Sequence, residues 1–165
     1  MTASTGTTPD GESRGASTAL VASGVRRCLQ AGIELSALPD AVPDARRYVR
    51  DIATLWGLVV AEIDDAQLIT TELLTNAIKA SQMIAESAVK LRMRWRRQAL
   101  RIELWDGSDE PPEICSPTLE AEYGRGLFLI SAIASAWSFH RCAGGGKVVW
   151  AELSTSNELG PTNPG

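Results

Sequence analysis

Apolar residues recur at helical spacing from Asp44 onward: Ala45, Tyr48, Val49, Ile52, Leu55 and Trp56. Pro43 suits a first helical turn and Gly57 a helix end, so the first predicted helix closes at Trp56. A second helix is predicted from about Glu62 to Met83, with Asp64 and Asp65 complementing the positive end of its dipole. The period then changes from helical to alternating. Val89, Leu91, Met93 and Trp95 alternate with Lys90, Arg92, Arg94 and Arg96, and Leu100, Ile102 and Leu104 alternate with Arg101, Glu103 and Trp105. The short turn between these runs makes an antiparallel hairpin the natural pairing. Upstream, the scattered apolar residues of Val25 to Leu35 predict an edge strand.

The stretch Asp106 to Tyr123, with Gly107, Pro111, Pro112 and Pro117, reads as a long loop, a length that in compact domains is functional or disordered. A helix follows from about Gly126 to Ala136, then a strand from Trp137 to Arg141. A glycine turn at Gly144–Gly146 leads to a last strand, Val148 to Leu153. This order predicts an α+β sandwich with helices covering one face of a mixed sheet.

A length of 165 residues holds one domain with a substantial core, and 44% apolar with 22% charged residues is ordinary for a globular protein. Residues 1–19 are rich in Ser, Thr and Gly and poor in large apolar side chains, and 154–165 are similar. Both are expected to be loose tails around a domain at 20–153. A formal charge of −4 argues against direct nucleic-acid binding. The basic run Lys90–Arg97 is expected to be the solvated face of a half-buried strand, with a partner-binding edge as the alternative. Cys28, Cys115 and Cys142 are far apart and contain no CxxC, which suggests neither disulfides nor a zinc site. With no membrane-length apolar window and no signal peptide, the expected location is the cytoplasm.

The densest candidate chemistry lies on the second helix, in Glu72-Leu73-Leu74-Thr75-Asn76-Ala77-Ile78-Lys79. At about 3.6 residues per turn, Glu72, Asn76 and Lys79 share one face. An acceptor, an amide and an ammonium in line suit a metal-bound polyphosphate: Glu72 to orient or deprotonate a nucleophile, Asn76 to offer an oxygen to Mg²⁺, Lys79 to neutralise phosphate. A solvated polar stripe on an amphipathic helix is the plainer explanation.

Two further motifs point the same way. Asp106, Gly107 and Ser108 follow a predicted strand, where a fixed carboxylate accepts from an exocyclic amine and a glycine permits close approach. An ordinary turn explains that motif as well. Gly124-Arg125-Gly126-Leu127 precedes a helical pattern, exposing backbone N–H groups and the positive dipole end to a phosphate, with Arg125 as a bidentate partner. Gly144-Gly145-Gly146-Lys147 is explained by a hairpin turn and lacks the P-loop arrangement. His140, the single histidine, reads as structural or surface, and core packing is the default for all five tryptophans.

Taken in order, the helical ExxxNAxK, the strand-end Asp-Gly, the loop, GRGL and GGGKVVW resemble the GHKL-type ATPases, the superfamily of gyrase and histidine kinases. Within it, the chain looks most like the small stand-alone anti-sigma-factor serine kinases, over about Leu38 to Leu153. The resemblance implies the Bergerat fold, a two-layer α/β sandwich with a mostly antiparallel sheet, and ATP and Mg²⁺ as ligands. It implies Glu72 as general base, Asn76 as Mg²⁺ ligand and Lys79 as phosphate neighbour. Asp106 would read the adenine amine beside Gly107 and Ser108, Gly124, Arg125, Gly126 and Leu127 would form a lid beside the phosphates, and Gly146 would lie near adenine.

The activity so implied is an ATP-dependent serine/threonine protein kinase that sequesters a sigma factor or other transcription regulator and phosphorylates an antagonist protein. Relatives often form homodimers through a sheet edge. Two departures motivate an alternative, a nucleotide-gated binding module without phosphotransfer. Ala80 stands where many relatives carry histidine, and the loop between Asp106 and Gly124 is short for a lid; Ser108-Asp109-Glu110 and two prolines also replace further glycine. A sensor histidine kinase is set aside, because His140 does not lie on a separate dimerisation helix.

Overall fold

Alternation in the Lys90–Arg96 run sorts its side chains to two faces. Val89, Leu91, Met93 and Trp95 are buried, whereas Lys90, Arg92 and Arg96 are exposed. The computed structural model describes residues 17–21, 28–82, 84, 87–112 and 125–157. Within them the chain runs β1 (Ser17–Val21), β2 (Cys28–Ser36), α1 (Ala41–Trp56), α2 (Val60–Ser81), β3 (Ala88–Arg96), β4 (Ala99–Asp106), α3 (Arg125–Ile133), β5 (Ala136–Arg141) and β6 (Lys147–Ser154). The strands form one six-stranded sheet in the order β1-β2-β3-β4-β6-β5, and every pairing is antiparallel. Helices α1, α2 and α3 close over one face, giving the expected two-layer α+β sandwich. Among the described residues, no helix is long and apolar enough to cross a membrane.

Helix α2 is the central rod of the helical layer. Its Ile69, Leu73, Leu74 and Ala77 pack with Leu91, Ile102, Leu104 and Ala151 of the sheet in one core. Gly57 ends α1 in the left-handed region (φ 85°), its N–H donating to the carbonyls of Ala53 and Thr54. That turn sends α2 back antiparallel against α1.

Five expectations change. The sheet expected to be mixed is antiparallel at every described pairing, because each strand returns beside its neighbour. β2 is internal because β1 pairs along its free side, and β1 takes up residues 17–19 of the segment expected as a tail. The strand β6 extends to Ser154, and the next three residues are tied down. Thr155 Oγ1 accepts from Trp95 Nε1 at 3.0 Å, Ser156 donates through N–H and Oγ to Glu62 Oε1 at 2.6 and 2.8 Å, and Asn157 donates to the Gly57 carbonyl at 3.1 Å. Glu62 Oε2 accepts from Val59 N–H at 3.1 Å, so one carboxylate joins the start of α2 to the end of the sheet. Finally, Trp95 alone among the tryptophans is fully in the core.

Trp105 and Trp150 lie on the open face of the sheet. Lys90 sits over the Trp105 ring at 5.2 Å and Arg101 over Trp150 at 3.7 Å. On the same face Arg92, Arg94 and Arg101 converge on Glu103, which is buried beneath them. Glu103 thus offsets part of the basic run's charge within its own sheet.

Candidate functional site

The polar stripe of α2 survives because the helix satisfies its other polar groups internally. Thr70, Thr71 and Thr75 each donate a hydroxyl to the carbonyl four residues back, at 2.8, 2.8 and 2.7 Å. Leu73, Leu74, Ala77 and Ile78 turn into the core. Glu72 and Asn76 are left half-buried and Lys79 exposed. The Glu72 carboxylate faces the first turn of α3. A methyl group on Gly126 would overlap Glu72 Oε2 and lie 3.3 Å from its Cδ, so the glycine is what lets helix and carboxylate meet. Leu127, the next residue, anchors that turn in the core.

A second cluster forms at the end of β4. Asp106 is buried on the helix-facing side, in register opposite Lys147 of β6. Its Oδ1 accepts from the Ser108 N–H at 2.9 Å and from Lys147 Nζ at 2.8 Å, and Nζ also lies 3.4 Å from the Ser108 carbonyl. Gly146 adopts φ +76° against this strand end; a Cβ there would overlap the Asp106 carbonyl and lie 3.1 Å from Gly107 Cα. The Gly146 N–H donates to Asp109 Oδ1 at 2.8 Å, and Arg141 Nε to the Asp109 carbonyl at 2.9 Å. Asp106, Gly107, Ser108 and Gly146 are thus one unit. Beside Gly107, Ile84 borders a cavity of about 1170 Å³ that also runs past Ile78 and the buried, unpartnered Ser81 hydroxyl.

Two groupings therefore emerge among the sequence-derived residues, Glu72 with Gly126 and Asp106 through Ser108 with Gly146. Asn76 and Lys79 sit on the same α2 face as Glu72, further along the helix. Gly124, the Arg125 side chain and residues 113–124 of the predicted loop lie outside the described residues. Two polar partners escaped the sequence reading, Lys147 and Asp109. For Lys147 the signal was parity: it falls in line with the inward positions Val149, Ala151 and Leu153, where a charge is out of place.

The donor set fits a phosphate-bound divalent cation. Glu72 and Asn76 offer hard oxygen atoms one turn apart, and no group of three or more His, Cys, Asp or Glu side chains able to hold a metal occurs among the described residues. Mg²⁺ held through phosphates and water needs no more than one or two protein oxygens.

An antiparallel sheet thus lies under three helices, with the Glu72 carboxylate against the first turn of α3. The chain belongs to the family described as the histidine kinase-like ATPase domain, which matches residues 35–153. Its fold is similar to a crystal structure of the RsbU and RsbW domains of Rv1364c from Mycobacterium tuberculosis, with a TM-score of 0.52 and 15% identity. The likeness covers 75% of this chain but 32% of that one, so the chain spans about a third of its length. No curated protein matches.

Proposed function

We propose that the chain binds Mg-ATP and acts in the cytoplasm as a regulatory serine/threonine protein kinase of the anti-sigma type. It would hold a transcription regulator and phosphorylate an antagonist protein. The reading rests on the approach of Glu72 to Gly126, which puts a carboxylate beside a helix N-terminus in a histidine kinase-like ATPase domain. The N–H groups and positive dipole end of the first turn of α3 suit phosphate oxygens. Glu72 would take the proton of an attacking hydroxyl. Asn76, one turn on, offers an amide oxygen to the cation, and Lys79 follows on the same face. When bound, Mg-ATP supplies the phosphoryl group and the charge on its oxygens; the protein's part is positioning and electrostatics.

Labelled ATP, this protein and a partner captured from native cells test the reading. Label should appear on a partner Ser or Thr with the natural protein and vanish with Glu72→Gln. Equal labelling by that variant would remove Glu72 from its role. Failure of excess Mg-ATP to raise the melting temperature would end the nucleotide reading altogether.

A nucleotide-gated binding module without transfer is the second reading. It is favoured by Ala80, which stands one turn beyond Asn76 where a further polar side chain would reach the phosphates. It predicts ATP-dependent partner capture with no label on any protein.

A further inference from the structure

The face of the sheet turned away from the helices has no task in the function just proposed. Register brings five cations to that side, Lys90, Arg92, Arg94, Arg96 and Arg101, against three carboxylates, Glu34, Glu103 and Glu152. The surplus is positive, on a chain whose formal charge is −4. These cations are not equally engaged. Arg94 and Arg101 hydrogen-bond the same oxygen of Glu103, Oε1. Lys90 lies 3.9 Å from Glu34 and Arg92 lies 3.8 Å from Glu103 Oε2, both too long for a hydrogen bond, and both side chains are 60% exposed. The same two cations border one depression of about 630 Å³. Gly32, in register with Arg92, lines it without a side chain; a Cβ there would lie 3.1 Å from the Leu91 carbonyl oxygen. Trp105 and Val148, both half-buried, add apolar surface, with Lys90 Nζ 5.2 Å from the centre of the indole.

We propose that this depression docks an acidic segment of a protein partner, with carboxylates on Lys90 and Arg92 and an apolar side chain against Trp105. The charge surplus selects an anionic partner. The carboxylates set among the cations select its kind. Glu34 beside Lys90 and Glu152 beside Arg101 oppose a continuous run of phosphates, whereas a peptide can place its discrete charges between them. Lys90 and Arg92 stand two positions apart on β3, the interval at which an extended partner also sets successive side chains on one side. The surface lies across the sheet from α2 and the Glu72–Gly126 approach, so it stands or falls independently of the nucleotide site.

The probe is a short peptide with glutamate, leucine and glutamate at alternate positions and serine between them. It carries a net-neutral dye and is titrated with the full chain by fluorescence anisotropy. The glutamate peptide should bind at least about tenfold more tightly than its glutamine counterpart, and more weakly as salt is added. Lys90→Glu combined with Arg92→Glu should weaken it at least about tenfold. Arg46→Glu combined with Arg50→Glu makes the same charge change on exposed positions of α1 and should stay within about threefold of natural. Equal binding of the two peptides, binding of neither, or equal losses in the two double variants overturns the proposal. An oligothymidine that binds more tightly than the glutamate peptide also overturns it and makes the surface one for nucleic acid. If the reversal at Lys90 and Arg92 does not fold, Lys90→Gln combined with Arg92→Gln decides: a loss of at least about threefold is expected, and no loss overturns the proposal.

Discussion

Gly126 and Glu72 share a space that holds one side chain and no more. The atom that a methyl group on Gly126 would overlap is the carboxylate Oε2, the mobile end of a glutamate, while Cδ and Cβ of Glu72 would stand 3.3 and 3.4 Å from that methyl. Gly126→Ala can therefore be relieved by swinging the carboxylate aside, without moving either helix. The expected stability change is small, within about 1 kcal/mol. Displacing the proton acceptor by an ångström should cost phosphoryl transfer about 100-fold. Melting curves beside single-turnover labelling would check this, and transfer unchanged with Gly126→Ala would detach the glycine from the chemistry.

Asn76 is expected to carry the Mg²⁺ dependence of binding. In the natural protein, chelating Mg²⁺ should weaken ATP binding. In Asn76→Ala that difference should largely vanish, with Mg-ATP affinity down about tenfold or more, equivalent to about 1.4 kcal/mol. Calorimetry with and without chelator reads both numbers. Natural Mg-ATP affinity in the variant counts against the assignment.

Gly145 and Gly146 separate two costs that a glycine turn usually mixes. Both adopt positive φ, 91° and 76°, but a Cβ on Gly145 meets nothing within 4 Å, whereas one on Gly146 strikes the Asp106 backbone. Gly145→Ala should lose the left-handed strain alone, about 1–2 kcal/mol. Gly146→Ala adds a backbone collision that no rotamer relieves, so a loss of about 3 kcal/mol or more is expected. Thermal melts of the pair give the test: similar midpoints would mean that the close packing of Gly146 on β4 carries no weight.

What the sequence disclosed followed from periodicity, and what it hid depended on partners distant in the chain. The alternation of Val89 to Arg96 and Leu100 to Trp105 foretold the β3–β4 hairpin. The position of β2 was misjudged because β1 is a short, polar-flanked run whose strand character comes from pairing with Leu29 and Gln30. The ending was misjudged because Thr155, Ser156 and Asn157 have loop composition, and their anchors, Trp95, Glu62 and Gly57, lie 60 to 100 positions away. Lys147 looked like part of a turn because its meaning depends on facing Asp106 across the sheet.

Glu62 gives that C-terminal anchor a pH dependence. Burial acts to raise its pKa, but hydrogen bonds from the Ser156 N–H, the Ser156 hydroxyl and the Val59 N–H outweigh it, and the carboxyl is held below the usual glutamate range. A folded-state pKa below the unfolded one means that unfolding takes up protons in acid. The stabilisation is therefore fully present above the ordinary glutamate value of about 4.3 and fades as pH falls towards the lower folded value. At pH 7, Glu62→Gln should cost about 1–3 kcal/mol, since an amide cannot accept on both of its terminal atoms. Denaturant melts from pH 7 downward should show the two proteins keeping a constant gap to about pH 5 and converging below it. A gap that persists unchanged to about pH 3 would mean that Glu62 supports the start of α2 through packing rather than through its charge.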